Sequence, residues 1–148
     1  MTDASVCPTG AAGYGFWIVS ERGGTPGSGA FKESIKDSYE GEYKAVVNAI
    51  NFGVKNQLIQ NGDSVLVQLD SKGVVALVNN EIIARDDLHL AQMLLTKLTK
   101  LNNIQLTARH VKGHTGKKDQ RSKANYMCDK RAREGMLLAR ERNDSSSN

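Results

Sequence analysis

The sequence predicts an α/β fold with a mixed sheet, on three observations. Two strand-like segments open the chain as a hairpin, later strand-like segments are separated by helical ones, and residues 65–69, VLVQL, are almost continuously apolar. Such a composition is typical of a strand that is buried on both faces of a parallel sheet. Strands separated by helices are joined by right-handed crossovers, which makes them parallel neighbours. A chain of 148 residues suits a single domain.

The first half of the chain supplies the hairpin and a long helix. A short first strand is expected around the motif TDAS, and residues 14–20, YGFWIVS, are aromatic and β-branched like a strand. The glycines and proline of residues 23–27 predict a turn, so residues 29–36 are expected to form the weaker returning strand. From residue 39 the apolar residues recur at helical spacing, and the Asn-Gly pair at 61–62 is expected to end this helix.

The second half alternates strands and helices. After the strand at 65–69, a short helix is expected over residues 72–79, and Asp86 is expected to cap the next one. The apolar stripe of that helix consists of Leu88, Ala91, Leu94, Leu95, Leu98 and Leu101. The alternation of apolar and polar residues at 104–108 predicts a further strand. Residues 121–140 are expected to form a last, basic helix. Residues 1–142 are therefore expected to form one domain, followed by a disordered tail at 143–148.

Composition narrows the class of protein. No apolar run approaches the ~18 residues that cross a bilayer, and no leader opens the chain, so we expect a cytoplasmic protein without a membrane partner. Two cysteines are too few for a disulfide framework. The net charge is +4, but residues 109–142 carry +7 and the remainder −3. A basic C-terminal third suggests a polyanionic partner, although a solvated helix face explains it equally well.

The segment HVKGHTGKKD, residues 110–119, is a candidate functional loop. Gly113 and Gly116 interrupt regular structure, and the lysines make the segment positive. His114, at its centre, can exchange a proton near neutral pH. A flexible, positive loop of this kind suits an anionic substrate.

Four carboxylates from separate segments could meet at one end of the sheet. Asp70 follows the buried strand, Asp3 lies in the first strand, Glu42 at the edge of the first helix's apolar stripe, and Asp129 in the last helix. Each alone is more often a surface charge, and Asp70 alone could cap the following helix. Together they would repel one another unless divalent cations neutralised them. A pair of such ions commonly stabilises the attacking and the leaving oxygens during in-line attack on a phosphodiester.

Five separated motifs resemble those of type 1 ribonuclease H, in the same order and over nearly the whole chain. They are TDAS with GYGFWIV, EGEY, VQLDS, HVKGHTG and NYMCDKRAR. The resemblance implies a ribonuclease H-like fold, which is a five-stranded mixed sheet flanked by helices. It implies an endonuclease that cleaves the RNA strand of an RNA–DNA hybrid and leaves 5′-phosphate and 3′-hydroxyl ends. The expected state is a monomer with the hybrid as partner and no small-molecule cofactor.

The same resemblance implies a set of site residues. The family's four metal-binding carboxylates fall on Asp3, Glu42, Asp70 and Asp129, which would hold two Mg²⁺ ions, with Mn²⁺ as a possible substitute. By resemblance, Asp3 bridges both ions and Asp129 helps to hold the ion that activates the attacking water. Glu42 and Asp70 hold the ion that stabilises the leaving 3′ oxygen. His114 matches the loop histidine that assists proton movement or product departure.

Substrate contacts are implied in the same way. Ser5 and Ser71 match positions near the minor groove and the 2′-hydroxyls, which distinguish RNA from DNA. The basic residues Lys112, Lys117 and Lys118 favour the phosphates of an anionic substrate.

Some positions depart from the family pattern. Only two residues precede Asp3, where relatives have several, so we expect either a shortened first strand or a start upstream of Met1. Tyr39 and Glu40 stand where many relatives have an asparagine that touches the substrate. The segment NNEIIARDDL has one basic residue, so the basic protrusion of some relatives is not expected.

Other functions remain open. One is a nuclease of the same fold that acts on DNA, against which the histidine loop and the compact length argue. Another is a catalytically inactive nucleic-acid-binding module, against which the four carboxylates argue. A zinc site of His110, His114 and Cys128 fits no compact zinc motif. The segment GHTGKK lacks a glycine and the final Ser or Thr of a phosphate-binding loop.

Overall fold

The computed structural model describes residues 1–6, 9–112 and 132–142. The strands are β1 (Thr2–Val6), β2 (Ala12–Ser20), β3 (Gly23–Ala30), β4 (Ser64–Leu69) and β5 (Gln105–His110). The helices are α1 (Ser38–Lys55), α2 (Lys72–Val78) and α3 (His89–Leu101), with one 3₁₀ turn at Asp86–Leu88. Residues 132–142 are also helical. Among the described helices, none combines the length and the apolar character that a bilayer span requires.

The hydrogen-bonded ladders divide the strands into two groups. β1, β2 and β3 form an antiparallel sheet in that order, and β4 pairs with β5 in parallel. β1 lies beside β4, so the two groups are neighbours. The arrangement is consistent with the predicted five-stranded mixed sheet.

The predicted turn at residues 23–27 is wrong, because these residues belong to β3. The turn lies earlier, at residues 21–22, and β3 ends at Ala30 instead of continuing to residue 36. The glycines of β3 make room for aromatic side chains, since a Cβ at Gly27 would overlap the ring of Phe16. Pro26 is tolerated opposite Trp17 because β3 is an edge strand of this sheet.

Helix α1 begins one residue before the predicted start and ends earlier than predicted. The side chain of Asp37 caps it by accepting a hydrogen bond from the Glu40 backbone N–H at 2.9 Å. Asn56 caps the other end through bonds to the carbonyls of Phe52 and Val54, so the Asn-Gly pair at 61–62 lies in a later turn. The buried face of α1 covers β1 and β2 and also meets α2 and α3.

The second half follows the predicted order closely. Asp86 was expected to cap a helix, but it lies inside the 3₁₀ turn, and α3 begins at His89 without a side-chain cap. In the predicted apolar stripe of α3, Leu88 and Leu95 are buried, whereas Leu94 and Leu101 face solvent. The main aliphatic core lies between α1, α2, α3 and the β4–β5 pair.

The helical residues 132–142 pack directly on the backbone of the antiparallel sheet. A Cβ at Gly13 would overlap the backbone at residues 135–136, and a Cβ at Gly135 would overlap the Gly29 carbonyl. The Arg142 guanidinium donates to the Phe31 carbonyl at 2.6 Å. Glycines on both sides therefore permit a backbone-to-backbone approach.

Candidate active site

Three predicted carboxylates reach one end of the fold from three different elements. Asp3 lies in β1, opposite Gly15 of β2. Asp70 follows the last residue of β4, and Glu42 lies in the first turns of α1, which packs on β1. Asp3, Glu42 and Asp70 therefore come from three neighbouring elements, and the metal site predicted for them stays a prediction. Asp129 lies outside the described residues.

The backbone N–H of Ala4 connects two of these carboxylates. It donates to Asp3 Oδ1 at 2.9 Å and to Glu42 Oε1 at 3.3 Å. Glu42 Oε2 is buried and has no hydrogen-bond donor among the residues that the structure describes. A buried carboxylate oxygen without a donor is costly, so it needs either a proton or a cation.

The charge state of Glu42 reflects this environment. Burial is the largest cause that raises the pKa of Glu42, to about 9, followed by its hydrogen bond with Asp3 and the negative charge of Asp3. The Ala4 N–H acts in the opposite direction, and the charge of Asp70 adds to the increase. Because Asp3 and Asp70 both oppose the ionisation of Glu42, the three groups act on one another electrostatically.

Asp70 has a neighbour that sequence reasoning did not assign to it. His110 Nε2 lies 3.4 Å from Asp70 Oδ1, and both side chains are partly exposed. His110 is opposite Leu69 in the parallel ladder, and the Val111 N–H donates to the Leu69 carbonyl at 2.9 Å. No pattern in the sequence identifies this neighbour, because the contact depends on the register that sets Leu69 of β4 opposite His110 of β5.

The donor set fits a hard divalent cation. Carboxylate oxygens are the ligands that Mg²⁺ and Ca²⁺ prefer, and Glu42 Oε2 is an oxygen in need of a positive partner. Within residues 1–6, 9–112 and 132–142, however, no three His, Cys, Asp or Glu side chains are grouped closely enough to ligate one ion as they stand. The described carboxylates repel one another, which favours wider spacing without a cation.

The predicted substrate-binding residues are only partly described. Ser5 lies in β1, two residues after Asp3, and Lys112 is exposed just beyond β5. Ser71 has a structural role as well, because its hydroxyl caps α2 by accepting from the Val74 N–H at 3.3 Å. His114, Lys117 and Lys118 lie outside the described residues. Cys128, which the zinc alternative requires together with His110 and His114, lies outside them as well.

Tyr39 and Glu40, which depart from the family pattern, make structural contacts. Glu40 is buried, accepts from the Lys36 N–H at 2.7 Å and pairs with Lys44 at 2.8 Å. The Arg85 guanidinium lies 4.9 Å from the centroid of the Tyr39 ring. These contacts hold the start of α1 and account for the two side chains without a substrate.

The sequence matches the RNase H family over residues 1–137, so the chain belongs to that family. Among the curated proteins, none matches it.

Solved structures of this family have the same fold. The RNase H1 of the archaeon Halobacterium salinarum is 19% identical, with a TM-score of 0.69 over 91% of this chain and 93% of that one. The N-terminal RNase H domain of a Mycobacterium tuberculosis protein is 18% identical, with a TM-score of 0.71 over 96% and 94%. LC11-RNase H1, solved in complex with an RNA/DNA hybrid, is 17% identical, with a TM-score of 0.71 over 93% and 95%.

The predicted family and the ribonuclease H-like α/β fold are thereby confirmed. The chain is an endoribonuclease of the class that acts on RNA–DNA hybrids. The particular site residues, the metal ions and the domain boundaries stay predictions.

Proposed function

We propose that this chain hydrolyses the RNA strand of an RNA–DNA hybrid with two bound metal ions and leaves 5′-phosphate and 3′-hydroxyl ends. One observation carries the proposal. The Ala4 N–H donates to both Asp3 Oδ1 and Glu42 Oε1, and the negative charges of Asp3 and Asp70 both raise the pKa of Glu42, so carboxylates from β1, α1 and the end of β4 influence one another. Mutual repulsion is unfavourable for folding, so its presence is best explained by a function that uses the carboxylates.

The proposed ligands are Asp3, Glu42, Asp70 and Asp129, which would hold two Mg²⁺ ions or, in their place, Mn²⁺. Asp3 would contribute to holding both ions, Asp129 would help to hold an ion that activates the attacking water, and Glu42 and Asp70 would hold an ion that stabilises the leaving oxygen. When bound, divalent cations activate a water and stabilise the leaving 3′ oxygen. The oxygen-only donor set fits these hard cations.

The chain's own groups prepare this arrangement. The Ala4 N–H holds one oxygen of Asp3 and one of Glu42, so the two side chains have a common anchor in β1. Glu42 reaches its ionised state against burial and the charge of Asp3, and a nearby positive charge would lower its pKa. His110 Nε2 lies 3.4 Å from Asp70 Oδ1.

Hybrid recognition is proposed for groups on the same side of the fold. LC11-RNase H1, a structural relative, was solved with an RNA/DNA hybrid, which supports the hybrid as substrate. Ser5 lies two residues after Asp3 in β1, and Lys112 lies two residues after His110, the last residue of β5 and the neighbour of Asp70. Ser71 is proposed to contact the substrate in addition to capping α2, and Lys117 and Lys118 are proposed to contact phosphates.

The proposal is tested with a labelled RNA–DNA hybrid, a DNA duplex and an RNA duplex, each with and without Mg²⁺. We expect cleavage of the RNA strand of the hybrid alone, dependent on the ion, with ligatable 5′-phosphate ends. Asp70→Asn removes the charge but keeps the shape, so it should abolish cleavage and leave the melting curve close to that of the parent. Asp86→Asn is the matched control, because Asp86 is exposed and belongs to the 3₁₀ turn.

Three results would contradict the proposal. Equal cleavage of the DNA duplex would make the chain a DNA nuclease of the same fold, and tight hybrid binding without any cleavage would make it an inactive binding module. Near-normal turnover of Asp70→Asn would remove the metal assignment.

The role of His114 is separable from that of the carboxylates. General acid–base assistance is worth about 10²–10⁴-fold, so His114→Ala should lower turnover within that range while hybrid binding stays nearly unchanged. Steady-state kinetics beside Asp70→Asn measure the difference. Equal loss in both variants would make His114 part of the metal site, and full activity would leave the loop an electrostatic role only.

A further inference from the structure

Helix α3 is apolar on two opposite faces, and the fold buries one of them. Leu95 and the partly buried Ala91 and Leu98 pack on the main core. The apolar side chains of the opposite face are Leu90, Met93, Leu94 and Leu101. Leu90 is 81% exposed and Met93 is 66% exposed, so no described residue covers this face. A helix that is apolar all round is normally buried all round, which indicates that α3 has a further partner.

The exposed face has the spacing of a coiled-coil seam. Asp86, Leu90, Met93, Lys97 and Lys100 are separated by steps of four, three, four and three residues. Alternating steps of this kind keep side chains in line along one side of a helix. The line begins in the 3₁₀ turn that leads directly into α3. Its two ends therefore differ in charge, with an acid before the apolar residues and two lysines after them.

The charges at the two ends are available to a partner. Asp87 is paired with Arg85, whereas Asp86, Lys97 and Lys100 take part in none of the ion pairs between described residues. All three of these side chains are exposed. A single copy of the chain thus presents an apolar stripe with a free negative charge at one end and free positive charges at the other.

We propose that this face docks a second copy of the same chain, with the two α3 helices antiparallel across a two-fold axis at Met93. Residues equidistant from Met93 then face each other, so Asp86 of each copy meets Lys100 of the other. Lys97 lays its aliphatic stem on the facing Leu90 and points its ammonium group toward the same Asp86. A parallel pair would instead place lysine on lysine and aspartate on aspartate. This inference does not depend on the proposed catalytic function.

The size of the contact predicts a weak dimer. The 13 residues of α3 present a strip of about 20 Å by 10 Å, so one helix pair buries less than the about 1,200 Å² at which standard interfaces begin. Ile83 extends the surface at the start of α3, where His89 Nε2 lies 3.2 Å from the Ala84 carbonyl, and the antiparallel arrangement brings it toward Leu101 of the other copy. We expect a Kd between about 1 µM and 1 mM, which makes the dilute chain a monomer.

Sedimentation equilibrium between about 1 µM and 1 mM chain tests the proposal, and the average mass should rise from that of one chain toward that of two. Met93→Lys places two ammonium groups on the axis and should weaken dimerisation at least about 10-fold. Its melting temperature should change little, because Met93 is largely exposed and lysine is an equally good helix former. Val19→Lys is the matched control, since Val19 is 68% exposed but lies in β2, and its dimerisation should equal that of the parent.

An exchange of charges tests the antiparallel orientation. Asp86→Lys alone, and Lys97→Glu together with Lys100→Glu, should each weaken the dimer at least about 5-fold, because each places like charges opposite one another at both ends. An equimolar mixture of the two variants should recover the affinity of the parent, because every acid in the mixed dimer again faces a lysine.

Four results would contradict the proposal. A parent chain that stays monomeric at about 1 mM would overturn it, as would a dimer that Met93→Lys leaves intact. Charge variants that each dimerise alone as well as the parent would exclude the antiparallel pair, because only a parallel pair is indifferent to these changes. Equal loss of dimer from Val19→Lys would place the contact on β2 instead of α3.

Discussion

The antiparallel half of the molecule, β1–β3, and the parallel half, β4–β5 with α2 and α3, are held together in different ways. The parallel half is built on aliphatic side chains, and its strands and helices share one large core with α1. The antiparallel half has a small core of Ala12, Phe31, Ile35 and Ala45, and its close contacts are made at glycines. Stability in the first case comes from buried area, whereas in the second it depends on backbone fit.

The carboxylate site lies between these halves. Asp3 belongs to the antiparallel half, Asp70 to the parallel half, and Glu42 to α1, which contacts both. A site made in this way depends on the relative position of two differently stabilised units. Three substitutions measure the difference between the halves, from the largest expected effect to the smallest.

The largest effect is expected from a cavity in the parallel half. Leu77 is fully buried in the large core, so Leu77→Ala should lower the free energy of unfolding by about 2–5 kcal/mol. Val6→Ala, in the small core of the antiparallel half, is the comparison and should cost clearly less, since Val6 is only partly buried. Urea denaturation measures both, and equal losses would show that the two cores contribute alike.

The second effect concerns the junction between the halves and depends on pH. The pKa of Glu42 is raised in the folded state, so its folded form keeps a proton that the unfolded chain has released. Its contribution to stability is therefore complete below about pH 4.5 and is lost as pH rises toward about 9. Glu42→Gln has no such loss of stability. In metal-free buffer its free energy of unfolding should therefore exceed that of the parent by an amount that grows across this pH range to about 1–3 kcal/mol.

Urea denaturation at pH 4, 6 and 8 with a chelator tests this dependence. The exposed Glu81→Gln is the control and should show no comparable trend. If the difference in the free energy of unfolding between Glu42→Gln and the parent stays constant with pH, burial of the carboxylate does not govern its protonation. Added Mg²⁺ should stabilise the parent and not the variant, because the variant lacks a proposed ligand.

The smallest effect is expected from backbone fit in the antiparallel half. Gly27→Ala would place a methyl group against the Phe16 ring, at a cost of about 1–3 kcal/mol. Alanine recovers about 0.5–1 kcal/mol because it has less backbone freedom to lose, so the net loss of stability should lie between about 0 and 2.5 kcal/mol. Gly24→Ala, in the same strand, meets only ordinary contacts and should be neutral or stabilising. Similar melting temperatures for the two variants would argue that Phe16 moves freely.

The sequence predicted the bounds of the strands and helices more accurately in the parallel half than in the antiparallel half. The apolar run of β4 and the helical spacing of α1 and α3 gave these elements to within a few residues, apart from the end of α1, because burial dictates both patterns. The boundary of β3 was wrong, since its glycines and proline are typical of turns. Only the position of the Phe16 and Tyr14 rings across the sheet explains why glycines lie within a strand.

The candidate site, too, could be predicted from the sequence only where local patterns determine the position of a residue. Asp3, Glu42 and Asp70 could be predicted to converge, because strand ends and helix faces follow from local patterns. The contact of His110 with Asp70 requires the register of β5 against β4, and that register is a tertiary property.

The contact between Gly13 and Gly135 has a consequence for synthesis of the protein. These residues are more than a hundred positions apart, and their backbones touch only when the segment around residue 135 has left the ribosome. Chains grow from the N-terminus at about 5–20 residues per second, so β2 waits several seconds for this partner. A β1–β3 sheet that formed during that time would lack its cover at Gly13, and a chaperone that shields this face would act before the last helix arrives.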